Sequence, residues 1–124
     1  MADRNTLLLY VKDPQASGRF YAGLLRRDPF RASPTFVLFV LPSGLALDLR
    51  GKDVVRPAPV TSEGGSELGF PMKSAAEVDA AHADWLSKGA IIALPPTDLE
   101  FGRSFVALDP DGHRLRVYAL AEEM

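Results

Sequence analysis

The sequence contains no cysteine, which excludes disulfides, thiolate chemistry and cysteine-ligated zinc sites. A chain without cysteine suits a reducing compartment, and we expect a cytoplasmic location. The polar N-terminus, residues 1–5, leads directly into a strand-like segment, so we expect no secretory signal. The longest apolar stretch, residues 36–47, is interrupted by Pro42-Ser43-Gly44 and is too short to cross a membrane.

The chain also lacks an excess of charge of either sign. Its 14 Lys and Arg residues against 16 Asp and Glu residues give a net charge of −2 at pH 7. This balance argues against a surface that binds nucleic acid or anionic lipid. With 124 residues, 47% of them hydrophobic, the chain is long enough for one ordinary domain or for two small modules that share a core.

The most informative pattern is a strand–turn–strand segment that occurs twice. Residues 105–118 form two apolar stretches around Pro110-Asp111-Gly112, which predicts a β-hairpin. Residues 36–50 surround Pro42-Ser43-Gly44 in the same way. The repetition predicts one module written twice, with Asp48 and Arg116 at equivalent positions.

A helix is predicted before each hairpin. Asp13 and Pro14 supply an N-cap and a first-turn proline for a helix that we expect to run to about Arg27. Ser74, with Glu77 three residues later, predicts a capping box for a second helix. The apolar spacing predicts core-facing residues at Ala16, Phe20, Tyr21, Leu24 and Leu25, and at Val78, Ala81, Trp85 and Leu86.

This order of elements predicts an α+β fold, one domain over residues 1–124 made of two βαβββ modules. The modules cover residues 5–53 and 66–121, and residues 54–65, rich in Pro, Gly and Ser, are predicted to form the linker. Residues 95–102 are expected to form a loop before the last hairpin. We expect His82 on the polar side of the second helix and His113 at the surface of the turn, neither with a functional role.

Two stretches of the sequence resemble the vicinal oxygen chelate superfamily, which includes glyoxalase I, extradiol dioxygenases and bleomycin-resistance proteins. One runs from Leu8 through Asp13-Pro14 to Leu25, and the other runs from Gly102 through the segment 109–113 to Val117. The resemblance implies two βαβββ modules whose curved mixed sheet surrounds a cup, usually within a homodimer.

The resemblance also implies where the enzymes of the superfamily hold a divalent metal. The matching positions are Thr6, Asp48, Glu67 and Arg116. Threonine is a poor ligand and arginine has no lone pair to offer, so we expect neither a metal nor another cofactor. We hypothesise that Asp48, Arg116 and Glu67 form a charged cluster in place of the metal. The alternative is that they are separate, solvated strand charges.

Strand alternation extends the implied cup into a candidate site. The hairpin registers are predicted to pair Val106 with Arg116, Ser104 with Tyr118, Leu38 with Asp48 and Phe36 with Arg50. The full set of predicted ligand-binding residues is Thr6, Leu8, Tyr10, Phe36, Leu38, Asp48, Arg50, Glu67, Phe101, Ser104, Val106, Arg116 and Tyr118. The alternative is that the aromatic residues fill a closed core and that Phe101 anchors its loop instead of covering the cup.

The leading interpretation is metal-independent binding or sequestration of a hydrophobic or aromatic small molecule, an antibiotic among the candidates. The alternative is a small enzyme of the superfamily, a lyase, transferase or dioxygenase, with an atypical or absent metal site. A third interpretation is a structural or regulatory protein with a filled cup. The expected partners are a small-molecule ligand and a second copy of the chain, with no nucleic acid and no membrane.

Overall fold

A computed structural model describes residues 5–60 and 66–121, and the chain divides into two compact units, Met1–Glu63 and Gly64–Met124. In the described residues, each unit contains one α-helix and one four-stranded mixed sheet in the order βαβββ, which confirms the α+β fold of two modules. Residues 61–65 of the predicted linker lie outside the described residues. Among those described, no helix combines the length and the apolar character that crossing a membrane requires.

The first unit contains β1 (Thr6–Val11), α1 (Pro14–Leu25), β2 (Arg31–Ala32), β3 (Phe36–Val40) and β4 (Ala46–Gly51), followed by a 3-10 turn (Lys52–Val54). Its sheet has the strand order β1-β4-β3-β2, in which β1 and β4 are parallel and the other pairs are antiparallel. The second unit contains β5 (Glu67–Pro71), α2 (Ala75–Ser87), β6 (Ile91–Leu99), β7 (Gly102–Leu108) and β8 (Arg114–Leu120). Its sheet has the equivalent order β5-β8-β7-β6.

Helix α1 begins where the sequence predicts and ends slightly earlier. The Asp13 carboxylate accepts hydrogen bonds from the backbone N–H groups of Gln15 and Ala16, at 3.1 and 3.2 Å. The helix ends at Leu25 because Arg26 adopts the left-handed conformation, with φ of 54°. The predicted end near Arg27 was therefore two residues too far.

The packed face of α1 is centred on small residues. Gly18 and Ser17 are buried, whereas the predicted core residues Ala16, Phe20 and Leu25 are only partly buried. A Cβ atom at Gly18 would lie 3.0 Å from a methyl group of Val37, so the absence of a side chain lets α1 approach β3 closely. The core of this unit also contains buried Val11, Tyr21, Leu24, Phe39, Leu47 and Leu49.

Helix α2 begins with the predicted capping interactions and packs on an aromatic cluster. Ser74 Oγ accepts from the Glu77 backbone N–H at 3.2 Å. The Trp85 ring lies edge-on to Phe70 and Phe105, with centroids 5.6 and 5.5 Å apart. Because Trp85 faces the sheet, the next residue along the helix points away from it.

Two predictions on α2 were therefore wrong. Leu86 is 53% exposed and does not belong to the core. His82 is not on the polar side, since it lies one turn before Trp85 and its ring packs edge-on against Phe105, with centroids 5.4 Å apart.

Residues 95–102 were predicted to be a loop, but most of them belong to a strand. Strand β6 continues to Leu99 and pairs with β7 through two register shifts on either side of Leu94 and the prolines that follow it. Proline lacks a backbone N–H, and an irregular end strand of the sheet is where it is tolerated. Gly102 follows the turn with φ of 147°, where a Cβ atom would lie 2.0 Å from the Ala119 carbonyl oxygen.

The second hairpin turn is built on a buried carboxylate. Asp109 Oδ1 accepts from the backbone N–H groups of Asp111 and His113, at 2.9 and 2.8 Å. The His113 ring also binds this side chain, with Nδ1 2.7 Å from Oδ2. His113 was predicted to be a surface residue, yet its side chain is only 13% exposed because it closes over this turn.

Candidate functional site

One face of each sheet packs against the helix of its own unit, and alternate strand residues point to the other face. We call this second face the helix-free face of the unit. In the first unit it carries three rows of three residues across β3, β4 and β1. The rows are Phe36, Arg50 and Tyr10; Leu38, Asp48 and Leu8; and Val40, Ala46 and Thr6.

The first row places a guanidinium between two aromatic positions. The Arg50 guanidinium carbon lies 4.5 Å from the centre of the Phe36 ring, a cation–π arrangement. Arg50 Nε and Nη2 also donate to Asp48 Oδ2, at 3.1 and 2.9 Å. Tyr10, the neighbour of Arg50 on β1, is 38% exposed. The arginine is thus held in one orientation by stacking and by two charge-assisted hydrogen bonds.

Asp48 lies at the centre of the second row and is only 5% exposed. Arg50 binds one of its carboxylate oxygens, and the other, Oδ1, is buried without a hydrogen-bond partner among the described residues. A buried acceptor without a partner costs about 1–3 kcal/mol, so few such groups occur in folded proteins. The two leucines on either side, Leu38 and Leu8, make the surroundings of the carboxylate apolar.

The helix-free face of the second unit carries an ion pair at the equivalent position. Arg116 Nε and Nη2 donate to the two carboxylate oxygens of Glu67, at 2.7 and 3.2 Å, and Nη1 donates to Ser104 Oγ at 2.9 Å. Arg114 Nη2 lies 2.8 Å from the same carboxylate. The hydrogen bond from Arg116 lowers the pKa of Glu67, and the pKa of Arg116 is raised by the same contact.

One of the two contacts in the predicted charged cluster, that between Glu67 and Arg116, is therefore present. Glu67 and Arg116 are paired as expected, through two hydrogen bonds, while Asp48 is bound by Arg50. The predicted link from Asp48 to Arg116 joins the two units and stays a prediction.

The four positions that the resemblance assigns to a metal do not fit one. Both carboxylate oxygens of Glu67 face guanidinium groups, and Arg116 itself brings a positive charge to the position. One oxygen of Asp48 is likewise taken by Arg50. Throughout the described ranges, no three His, Asp or Glu side chains are grouped so that they could hold a metal ion.

The other predicted site residues occupy the expected faces or their margin. All four predicted cross-strand pairs of the hairpins are confirmed. Ser104 and Val106 are fully buried, and the Tyr118 ring lies beside Gly69, where a Cβ atom would be 3.2 Å away. Phe101 lies in the turn between β6 and β7 and is partly buried. A ligand-binding role for these residues stays a prediction.

Sequence reasoning missed the pairing of Arg50 with Asp48 and Phe36. The signal was present, because Asp48 and Arg50 are two residues apart on one strand and therefore share a face. The predicted hairpin register also placed Phe36 beside Arg50. What was missed is that these contacts form within one module.

Comparisons with known proteins agree with this architecture. Residues 4–117 match the family model of the glyoxalase/bleomycin resistance protein/dioxygenase superfamily. The chain belongs to this superfamily. The resemblance seen in the sequence is thereby confirmed.

Proteins similar to this chain include a resistance protein and two solved structures. The phenazine antibiotic resistance protein EhpR of Enterobacter agglomerans is 32% identical, over 94% of this chain and 91% of that protein. A protein of Agrobacterium tumefaciens solved by NMR is 45% identical, with a TM-score of 0.86 and coverage of 98% of this chain and 99% of that one. A superfamily protein from Nocardioides is 25% identical, with a TM-score of 0.83 and coverage of 97% and 84%.

Proposed function

We propose that this superfamily member binds a planar aromatic small molecule without a metal and acts by sequestering it. The observation that carries the proposal is the row formed by Tyr10, Arg50 and Phe36 on the helix-free face of the first unit. It combines an exposed aromatic ring with a guanidinium that is already fixed in place.

The apolar residues beside this row support the same class of ligand. Leu8 is 37% exposed and Tyr10 is 38% exposed, so both retain apolar surface that a flat ring system would cover. Aromatic side chains bind such rings through stacked or edge-on contacts, and nearby polar groups fix their orientation. Burial of a large aromatic surface contributes most of the binding free energy in this arrangement.

The related phenazine antibiotic resistance protein supports a narrower ligand class. A phenazine is a planar, three-ring aromatic molecule, and its shape suits a flat sheet face lined by tyrosine and leucine. We therefore propose that phenazine-like compounds, antibiotics among them, are ligands of this protein. Stoichiometric capture would protect a cell without any chemical step.

We propose binding without a metal because arginine side chains already bind the two carboxylates that could hold one. Arg116 and Arg114 bind the Glu67 carboxylate, so a cation there would first have to displace a guanidinium. At Asp48, Arg50 binds one carboxylate oxygen and the other is buried, and the positive charge of Arg50 opposes a cation. The alternative, a metal-dependent enzyme of the superfamily, is tested by the same experiment, which is described next. The expected homodimer and cytoplasmic location stay predictions.

A thermal-shift screen of protein treated with a chelator tests this function. A phenazine at about 100 times its dissociation constant should stabilise the fold by about 2.7 kcal/mol, a rise of several degrees in the unfolding temperature. Zn²⁺, Ni²⁺, Mn²⁺ and Fe²⁺ should give no comparable specific shift. A shift with one metal and none with phenazines would contradict the proposal.

Replacing Tyr10→Leu should weaken phenazine binding by about tenfold, because the stacking surface is lost. Phe30→Leu is the matched control, since Phe30 is also an exposed aromatic residue, 50% accessible, but does not belong to the three rows. Titration of both variants with phenazine measures the difference. Equal affinities would show that Tyr10 is not part of the site.

A further inference from the structure

The Arg50 guanidinium has donors that no group of the described residues uses. A guanidinium carries five N–H groups, and the Asp48 carboxylate receives hydrogen bonds from Nε and Nη2 only. Nη1 makes no hydrogen bond to any residue in the described ranges. The Arg50 side chain is 35% exposed. Among the described residues, Asp48 Oδ1 is the only buried side-chain nitrogen or oxygen without a partner, so the unpaired Nη1 is accessible to a ligand.

The free edge is also held in a fixed orientation. Stacking on Phe36 and hydrogen bonds to a carboxylate that is itself 8% exposed restrict the side chain before a ligand arrives. A preorganised group loses less conformational entropy on binding than a free surface arginine. Arg116, on the helix-free face of the second unit, differs because its Nε, Nη1 and Nη2 all have partners.

The accessible charge at this site is positive. Asp48 Oδ1 is buried, so a ligand cation cannot approach it in this structure. The exposed donors of Arg50 instead suit an anion with two coplanar oxygens, and a carboxylate has this geometry. Tyr10 is next to Arg50 in the parallel register, so a ring that carries the carboxylate on its edge can lie against the tyrosine.

We propose that the ligand is a planar aromatic acid, whose carboxylate binds the free Nη1 edge of Arg50 while its ring system covers Tyr10. This inference rests on the proposed aromatic binding function and adds the charge of the ligand. It makes Arg50 the residue that determines specificity between acidic and neutral aromatic compounds.

Titration with three probes at pH 7 tests the inference: phenazine, phenazine-1-carboxylate and phenazine-1-carboxamide. The wild-type protein should bind the carboxylate at least about tenfold more tightly than the other two, since a hydrogen bond to a charged group is stronger than a neutral one. Failure of the wild-type protein to bind any probe would overturn the proposed function and this inference together.

Arg50→Gln should remove the preference for the acid, so that this variant binds phenazine-1-carboxylate and phenazine with affinities within about twofold of each other. Arg19→Gln is the matched control, because it removes the same charge from an exposed position on α1. If Arg50→Gln does not fold, the double variant with Asp48→Asn and Arg50→Gln replaces it, since it leaves no buried charge without a partner.

Two results would overturn the acid preference and leave the aromatic binding function standing. One is equal affinity of the wild-type protein for the carboxylate and for phenazine. The other is an unchanged preference for the carboxylate in Arg50→Gln or in the double variant.

Discussion

At the scale of single residues, the properties of the helix-free faces depend on which ion pairs their charged side chains form. The resemblance, extended by strand alternation, placed Asp48, Arg50, Glu67 and Arg116 on the cup side of the sheets, and the structure has all four on helix-free faces. Alternation cannot predict the partners, because a long, flexible side chain can reach neighbours on its own strand as well as on the adjacent strands. The observed partner of Asp48 is two residues away on the same strand.

The Glu67–Arg116 pair predicts a dependence of stability on pH. Arg116 holds the pKa of Glu67 below its ordinary value of 4.5, so the pair stabilises the fold above that value. This contribution is lost as the pH falls through the lower, folded-state pKa. The variant Glu67→Gln should be less stable at pH 7 by up to about 1 kcal/mol and should lose less stability between about pH 5 and pH 3.

Urea unfolding at a series of pH values measures this difference. Glu100→Gln is a suitable control, because Glu100 is an exposed residue of the turn between β6 and β7. Parallel pH profiles for the wild-type protein and Glu67→Gln would contradict the assignment of the pair.

At the scale of elements, local chemistry predicted the starts of the helices and the turns of the hairpins. The caps at Asp13 and Ser74 form as expected because their hydrogen bonds involve residues close in sequence. The extent of β6 was missed because Pro95 and Pro96 are typical of loops, whereas pairing with β7 accommodates them. Leu86 was misplaced because Trp85 and Leu86 both match the helical spacing from Val78, and only packing against the sheet selects between them.

The contact between α1 and β3 supplies a prediction at this scale. Gly18→Ala should destabilise the protein by about 1–3 kcal/mol, because the new methyl group would lie 3.0 Å from a Val37 methyl group on a buried, stiff side chain. Gly23→Ala, on the same helix with no atom within 4 Å of the added Cβ, should instead stabilise it by roughly 0.5–1 kcal/mol. Chemical denaturation followed by circular dichroism measures both, and a Gly18→Ala variant as stable as Gly23→Ala would contradict the close approach.

At the scale of the whole molecule, the two modules repeat the same fold with different chemistry. The central position of the helix-free face holds Asp48 in the first unit and Arg116 in the second. The row of Tyr10, Arg50 and Phe36 corresponds to Pro71, Tyr118 and Ser104, which lack an exposed guanidinium. Both units therefore have the same fold, but among the described residues only the first carries the row with an aromatic residue and an exposed guanidinium. We expect one ligand per chain.

Isothermal titration of chelator-treated protein with phenazine-1-carboxylate tests metal-free binding of a planar aromatic molecule most directly. The account predicts saturable binding with one molecule per chain and with the same affinity in the presence and absence of a chelator. No binding without an added divalent metal, or conversion of the compound to a product, would contradict it.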